Sequence, residues 1–166
     1  MDLRGKLPTR QGAAPYLLRS LADLQAVHWL VVHHTDVGPA RPTALEVAQY
    51  QVGPTAHLPF PSIAYHLFVE EDGTFEQTQD FLAVPWSQGD GSPYSKQGVA
   101  IYNWWGLSIC FSGQDPTACQ IATIQRARDW VRQVVGNPAL PVIGHRDVSP
   151  TECPGDLWDQ WKASVA

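Results

Sequence analysis

The run of apolar segments along this chain predicts an α/β fold, a single domain with a central mixed β-sheet flanked by helices. Three observations carry that expectation. Short β-branched stretches such as Trp29-Leu30-Val31-Val32 alternate with segments whose apolar residues recur every three or four positions, the pattern of strands interleaved with covering helices. The pair Asp72-Gly73 stands between two strand-like runs as a hairpin turn, so the sheet is mixed rather than wholly parallel. A length of 166 residues suits one domain with a core of ordinary size, and nothing in the chain divides it.

Composition narrows the function classes. Apolar residues make up 44% and charged ones 16%, a globular composition with a lightly charged surface. The net charge of -5, with no basic run or stripe, excludes a nucleic-acid partner held by phosphate contacts. Residues 1–8 carry charge with no apolar stretch behind them, so no secretory signal is expected, and no run approaches the length of a membrane span. These features leave the compartment open. A monomer is expected.

Residues 1–15 are polar and rich in Gly and Pro, an arm without much structure of its own, and residues 16–21 read as a short turn or strand. Trp29 to Val32 reads as a buried central strand ending at His33-His34. Strand side chains alternate, so those two histidines point opposite ways and only one can enter a shared site. Thr43 and Glu46 have capping-box spacing, and Ala44, Leu45, Val47 and Ala48 supply an apolar side, which predicts a helix of two to three turns closed before Gly53-Pro54.

A loop with His57 follows, then a strand over 63–69, the Asp72-Gly73 turn and a return strand over 74–77. Residues 80–98 form a long loop with Trp86 and Tyr94, and long loops in compact domains tend to be binding surfaces. Leu107 to Phe111 is another strand. Thr117 and Gln120 repeat the capping-box spacing ahead of Ile121, Ile124, Ala127, Val131 and Val134, so a helix runs from 117 to 135 and stops at Gly136-Asn137-Pro138. A short strand over 141–143 and a last helix with Leu157, Trp158 and Trp161 complete the chain. There are no internal repeats.

The chemistry gathers near the end. His145 and Cys153 lie close together in a segment broken by Pro150 and Pro154, and imidazole nitrogen with thiolate sulfur suits zinc. A third ligand from the His33-His34 pair would leave the fourth position open, as in catalytic zinc sites. A lone histidine is usually satisfied by backbone and a lone cysteine is usually a buried thiol; the combination points to a metal. By the same reasoning Tyr65 alone is a packed strand aromatic, His66 faces away from it, Asp147 shapes its loop through a backbone hydrogen bond, and Trp86, Trp104 and Trp105 are core aromatics or a sugar-stacking wall. Cys110 reads as a buried apolar residue and Cys119 as helical. A bridge between them fits the spacing, although no disulfide framework is implied.

Four segments in order, Val32-His33-His34-Thr35, Ala64-Tyr65-His66-Leu67-Phe68-Val69 with Asp72-Gly73, Leu107 to Gly113, and Gly144-His145-Arg146-Asp147-Val148-Ser149-Pro150-Thr151-Glu152-Cys153-Pro154-Gly155, carry a resemblance over residues 28–161. The chain resembles the zinc-dependent N-acetylmuramoyl-L-alanine amidases that share a fold with peptidoglycan recognition proteins. The resemblance implies one zinc ion held by His33, His145 and Cys153, with Tyr65 beside the attacking water and Thr151 lining the site where phage relatives often have lysine. His34 reads as an outer partner of the metal ligands or a packing residue, and His57 as a solvated loop histidine in a region where many relatives contact substrate; with Trp86 they are the substrate-side candidates. The activity implied is hydrolysis of the amide between N-acetylmuramic acid and L-alanine, with peptidoglycan or a muropeptide as partner. Two other functions compete: a recognition module of the same fold that binds without cutting, and a structural zinc domain. Non-catalytic relatives characteristically replace the cysteine, so Cys153 with Tyr65 favours the enzyme. A structural site needs a fourth protein ligand, for which His34 and Cys110 are the only tempting extras. Ser87-Gln88 departs from the family pattern, where a histidine is common after the tryptophan, and Gly106-Leu107 stands where Ser-Ile-Gly is common.

Overall fold

The computed structural model describes residues 1–38, 40–56, 60–88, 95–96 and 99–166. The strands are β1 (Trp29–His34), β2 (Leu67–Val69), β3 (Phe75–Gln77), β4 (Ser95–Lys96), β5 (Val99–Ala100), β6 (Gly106–Phe111) and β7 (Val142–Gly144). The helices are α1 (Leu21–Gln25), α2 (Ala44–Val52), α3 (Ile101–Trp105), α4 (Ala118–Val135) and α5 (Trp158–Val165), with a 3-10 turn at His145–Asp147. Five strands form the main sheet in the order β3-β2-β6-β1-β7, parallel except for the β2–β3 hairpin. The mixed sheet is the one the sequence predicts, and β4 and β5 pair separately.

Strand alternation divides the core into two layers. Leu30 and Val32 of β1, with Leu107, Ile109 and Phe111 of β6, pack against Ile124, Ala127 and Val131 of α4 and Trp158 and Trp161 of α5. Phe68 and Cys110 face the other way, against Ala44, Val47 and Ala48 of α2. Each fully buried aliphatic side chain contributes about 1.5–3 kcal/mol, so covering both faces is what holds the sheet between its helices.

Both capping boxes form: Thr43 accepts from the Glu46 N–H and Thr117 from the Gln120 N–H, with each acid or amide returning a bond to its cap backbone. Gly136 ends α4 in the left-handed region at φ 71, the conformation its missing Cβ permits. Gly73 does the same in the hairpin turn at φ 84, where the Asp72 carboxylate accepts from Thr74 N at 2.7 Å.

Four details differ from the sequence expectation. The strand expected over 63–69 begins only at Leu67. Before it, side chains satisfy the backbone in place of a ladder: Gln51 Oε1 accepts from Ala64 N, Gln79 Nε2 donates to Ile63 O, and Thr78 Oγ1 donates to Tyr65 O. Residues 16–21 divide between an isolated bridge, Leu18 to Ala83, and the start of α1, capped by Ser20. Inside the expected 80–98 loop and just after it lie β4, β5 and α3, elements too short to have a period. Residues 1–15 contain no helix, yet they are tied to the sheet edge by the Asp2–Gln77 bridge and by Leu3 N donating to Gln77 O at 2.8 Å. No disulfide joins Cys110 and Cys119; the first is buried and the second exposed.

Candidate metal centre

β1 is the middle of three adjacent parallel strands, and its register with β7 pairs Val32 with Gly144. The next residue on each strand is therefore a histidine, His33 beside His145, with ring centroids 4.4 Å apart. Both sit at the carboxyl ends of parallel strands, where sites in such sheets form. Gly144 has no room for a side chain, since a Cβ there would come within 2.8 Å of Pro154 Cδ and Trp158 Nε1. That close approach lets the following loop fold back and return Cys153 to the strand ends.

The loop is braced by its own polar groups. Asp147 Oδ2 accepts from Gly144 N at 2.7 Å, the structural role expected of it. Arg146 N donates to Cys153 O, and its guanidinium donates to the carbonyls of Glu152 and Gly155. Thr151 Oγ1 accepts from Cys153 N at 3.2 Å. Cys153 Sγ then lies 3.7 Å from His33 Nδ1 and accepts the His34 N–H at 3.4 Å.

The three donor atoms of His33, His145 and Cys153 lie within 4.8 Å of one another. Tetrahedral zinc with Zn–N about 2.0 Å and Zn–S about 2.3 Å sets its donors roughly 3.6 Å apart, so the Sγ–Nδ1 spacing matches and the residues fit the metal. Among the described residues no fourth His, Cys, Asp or Glu joins this group. Burial sets the protonation. It holds His33 well below the usual imidazole range, helped by neighbouring His145. It also takes His145 down to about 4, against the Gln88 carbonyl, which favours the protonated ring. Burial pushes the Cys153 thiol up to about 12, opposed by the His34 N–H. Two neutral imidazoles are ready to ligate; the thiol loses its proton only to a cation strong enough to outweigh that burial.

Alternation separates the paired histidines as expected. His33 shares its face with Cys110, its register partner on β6, whereas His34 turns toward Phe111, and its Nδ1 meets Gln114 O at 3.0 Å. His34 therefore offers the centre its main-chain N–H. Tyr65 packs its ring 5.3 Å from that of His33, and burial holds its phenol well above the usual range. A cavity of about 320 Å³ opens beside Tyr65, lined also by Thr35, Val37 and residues of α2. Trp86 is 43% exposed, its ring propped edge-on against Tyr16 at 5.6 Å. Trp104, 1% exposed, belongs to a core cluster against which Trp105 packs. His66 is buried beside Ser108, two residues before Cys110 on β6, hydrogen-bonded to Ser108 Oγ and Ala83 O, and burial lowers it to about 3. His57 and Tyr94 lie outside the described residues.

Gln88 is the residue that sequence reasoning missed as part of the centre. It is 1% exposed, its N–H donates to Asn103 Oδ1 at 2.8 Å, and its main-chain carbonyl faces His145. A carbonyl leaves no residue signature; the Ser87-Gln88 departure from the family pattern was the only available signal.

Fold and cluster together define a class: single-domain α/β proteins that bring two imidazoles and a thiol together at the carboxyl edge of parallel strands, beside a cleft. A family model described as N-acetylmuramoyl-L-alanine amidase matches residues 23–156, and the chain belongs to that family. No curated protein sequence matches it. Among solved structures it is similar to the endolysin N-acetylmuramoyl-L-alanine amidase LysCS from Clostridium intestinale URNW, with a TM-score of 0.68 and 19% identity over 99% of this chain and 95% of that one. AmpD gives 0.68 and 22% over 95% and 94%, and Drosophila peptidoglycan recognition protein SD gives 0.68 and 17% over 97% and 94%. At these identities the likeness establishes the fold, one common to peptidoglycan amidases and peptidoglycan recognition proteins.

Proposed function

We propose that this chain is a zinc-dependent N-acetylmuramoyl-L-alanine amidase, hydrolysing the amide between the lactyl group of N-acetylmuramic acid and L-alanine. The observation that carries the reading is the convergence of His33, His145 and Cys153 with no fourth ligand among the described residues, which leaves a vertex for water and substrate. That same geometry disfavours a structural zinc domain.

His33, His145 and Cys153 would hold the ion, with the Gln88 carbonyl and the His34 N–H orienting two of them. Bound zinc supplies a Lewis acid and lowers the pKa of a water from about 15.7 to about 7. Tyr65, its ring against His33, would orient the attacking water and pass its proton toward the leaving amine. Thr151 uses its oxygen to accept from Cys153 N, which keeps its hydroxyl proton available to the growing oxyanion. A neutral hydroxyl contributes less there than a charged group. Trp86 offers an exposed ring face for a sugar, and peptidoglycan or a muropeptide is the partner.

The test is metal content together with release of free peptide stems from purified peptidoglycan, with and without chelator. The expected result is about one zinc per chain and chelator-sensitive release; Cys153→Ser loses zinc and activity together, while Tyr65→Phe keeps zinc and loses about 100-fold or more in kcat. Saturable peptidoglycan binding without release would overturn the amidase in favour of a recognition module.

A further inference from the structure

Away from the metal centre, two carboxyl groups meet at the edge of the sheet. β2 and β3 pair Phe68 with Glu76, and Glu70 stands two residues beyond Phe68, so alternation sets both glutamates on the face that Phe68 turns to α2. There Glu70 accepts the Ala44 N–H of α2 at 2.9 Å. Glu76 is 8% exposed, and its Oε2 is closed off from solvent with no hydrogen-bond partner among the described residues. Its carboxyl meets that of Glu70, which donates a hydrogen bond to it when protonated. With Glu70 ionised, two anions face each other with nothing between them.

No cation of the described residues offsets the pair. Arg41 donates to Ser112 O at 2.9 Å and to Asp115 O at 3.2 Å, and its Nε pairs with Glu71 at 3.2 Å. An open cleft of about 520 Å³ reaches Glu70 and is lined also by Glu71, Asp72, Thr43, Thr74 and Arg41, three acids to one base. Two carboxylates in contact take either a shared proton or a bridging cation. Donors that are all oxygen select a hard divalent ion over the softer metals that imidazole and thiolate hold. From the buried, unpartnered oxygen of Glu76 and the acidic cleft above it, we infer that Glu70 and Glu76 bind a hard divalent cation of the calcium kind, with water completing its shell. Through the bond from Glu70 to Ala44 N, the ion ties the β2–β3 hairpin to the first turn of α2. The site stands whether or not the chain is an amidase.

The experiment follows the melting temperature of the zinc-supplied protein at pH 8, where Glu70 has lost its proton, in CaCl2 and in NaCl of equal ionic strength. Calcium favours oxygen and leaves the imidazole and thiolate donors to zinc. A site of two carboxylates and water should hold calcium with a Kd of roughly 1 mM. Calcium at about ten times that Kd should then raise the melting temperature by about 3–6 °C over the NaCl control. Glu70→Gln keeps the acceptor for Ala44 N but cannot ionise, and should lose the shift; Glu76→Gln should lose it too. If Glu76→Gln does not fold, Glu70→Gln alone decides. A response matched by NaCl is general screening, and one that survives Glu70→Gln arises elsewhere on the surface; either overturns the site. So does the lack of any response in the parent, which would leave the pair with its shared proton only.

Discussion

Glu70 sits just past β2 and accepts the N–H of Ala44, the first residue of α2, at 2.9 Å. Burial raises its carboxyl from 4.5 to about 7 against the Ala44 N–H, reinforced by the charge of the neighbouring Glu76, to which the protonated Glu70 donates a hydrogen bond, and by the charge of Asp72. The folded protein therefore keeps a proton between pH 4.5 and about 7 that the unfolded chain gives up. Over that window stability falls as pH rises, and the stabilising contribution of the protonated form is gone above pH 7. At 1.36 kcal/mol per unit the rise from 4.5 corresponds to about 3.4 kcal/mol. Glu70 is only half-buried, and solvent screening reduces this to about 1–2 kcal/mol.

Glu70→Gln keeps the acceptor for Ala44 N, can donate to Glu76, and cannot ionise. The variant should match the parent near pH 4 and exceed it by about 1–2 kcal/mol at pH 8. Urea unfolding of the metal-free proteins at several pH values reads this directly, and the titrations of His33 and His145, shared by both proteins, cancel in the difference. A stability gap that stays constant with pH, or a variant less stable at pH 8, would refute the reasoning.

Arg19 is 2% exposed and spreads Nη2 among the carbonyls of Ala83, Asn103 and Gly106, tying the chain before α1 to both ends of the segment that carries Trp86 and Gln88. Arg19→Met leaves those acceptors without their donor and should cost about 2–4 kcal/mol in chemical denaturation. Thr117→Ala removes the α4 cap and should lower stability by about 1 kcal/mol while leaving the proposed hydrolysis per folded molecule unchanged, because α4 lies across the sheet from the candidate metal centre.

Local rules made the helices legible where they were long and capped. Thr43–Glu46 and Thr117–Gln120 each specify a boundary through hydrogen bonds among four neighbouring residues, so the ends of α2 and α4 could be read without any tertiary information. α1 and α3, at five residues each, escaped because one turn of helix shows no periodicity. The early part of the 63–69 strand was misread for a different reason: Gln51, Thr78 and Gln79 reach its backbone from elsewhere in the chain and replace the ladder. For the candidate centre, residue types and the resemblance named the donors, while alternation on β1 showed only that one of two histidines could serve.

By itself the sequence determined the α/β class, the mixed sheet and the kind of donors available, because strand period, turn chemistry and ligand chemistry are properties of neighbouring residues. Only the tertiary structure decided that His33 is the histidine facing inward, that Gln88 presents a carbonyl to His145, and that Glu70 meets Glu76 against the first turn of α2. Each of those depends on register and loop return between segments far apart in the chain: the pairing of Val32 with Gly144, the fold-back over Gly144 that returns Cys153, and the packing of α2 against the face of Cys110.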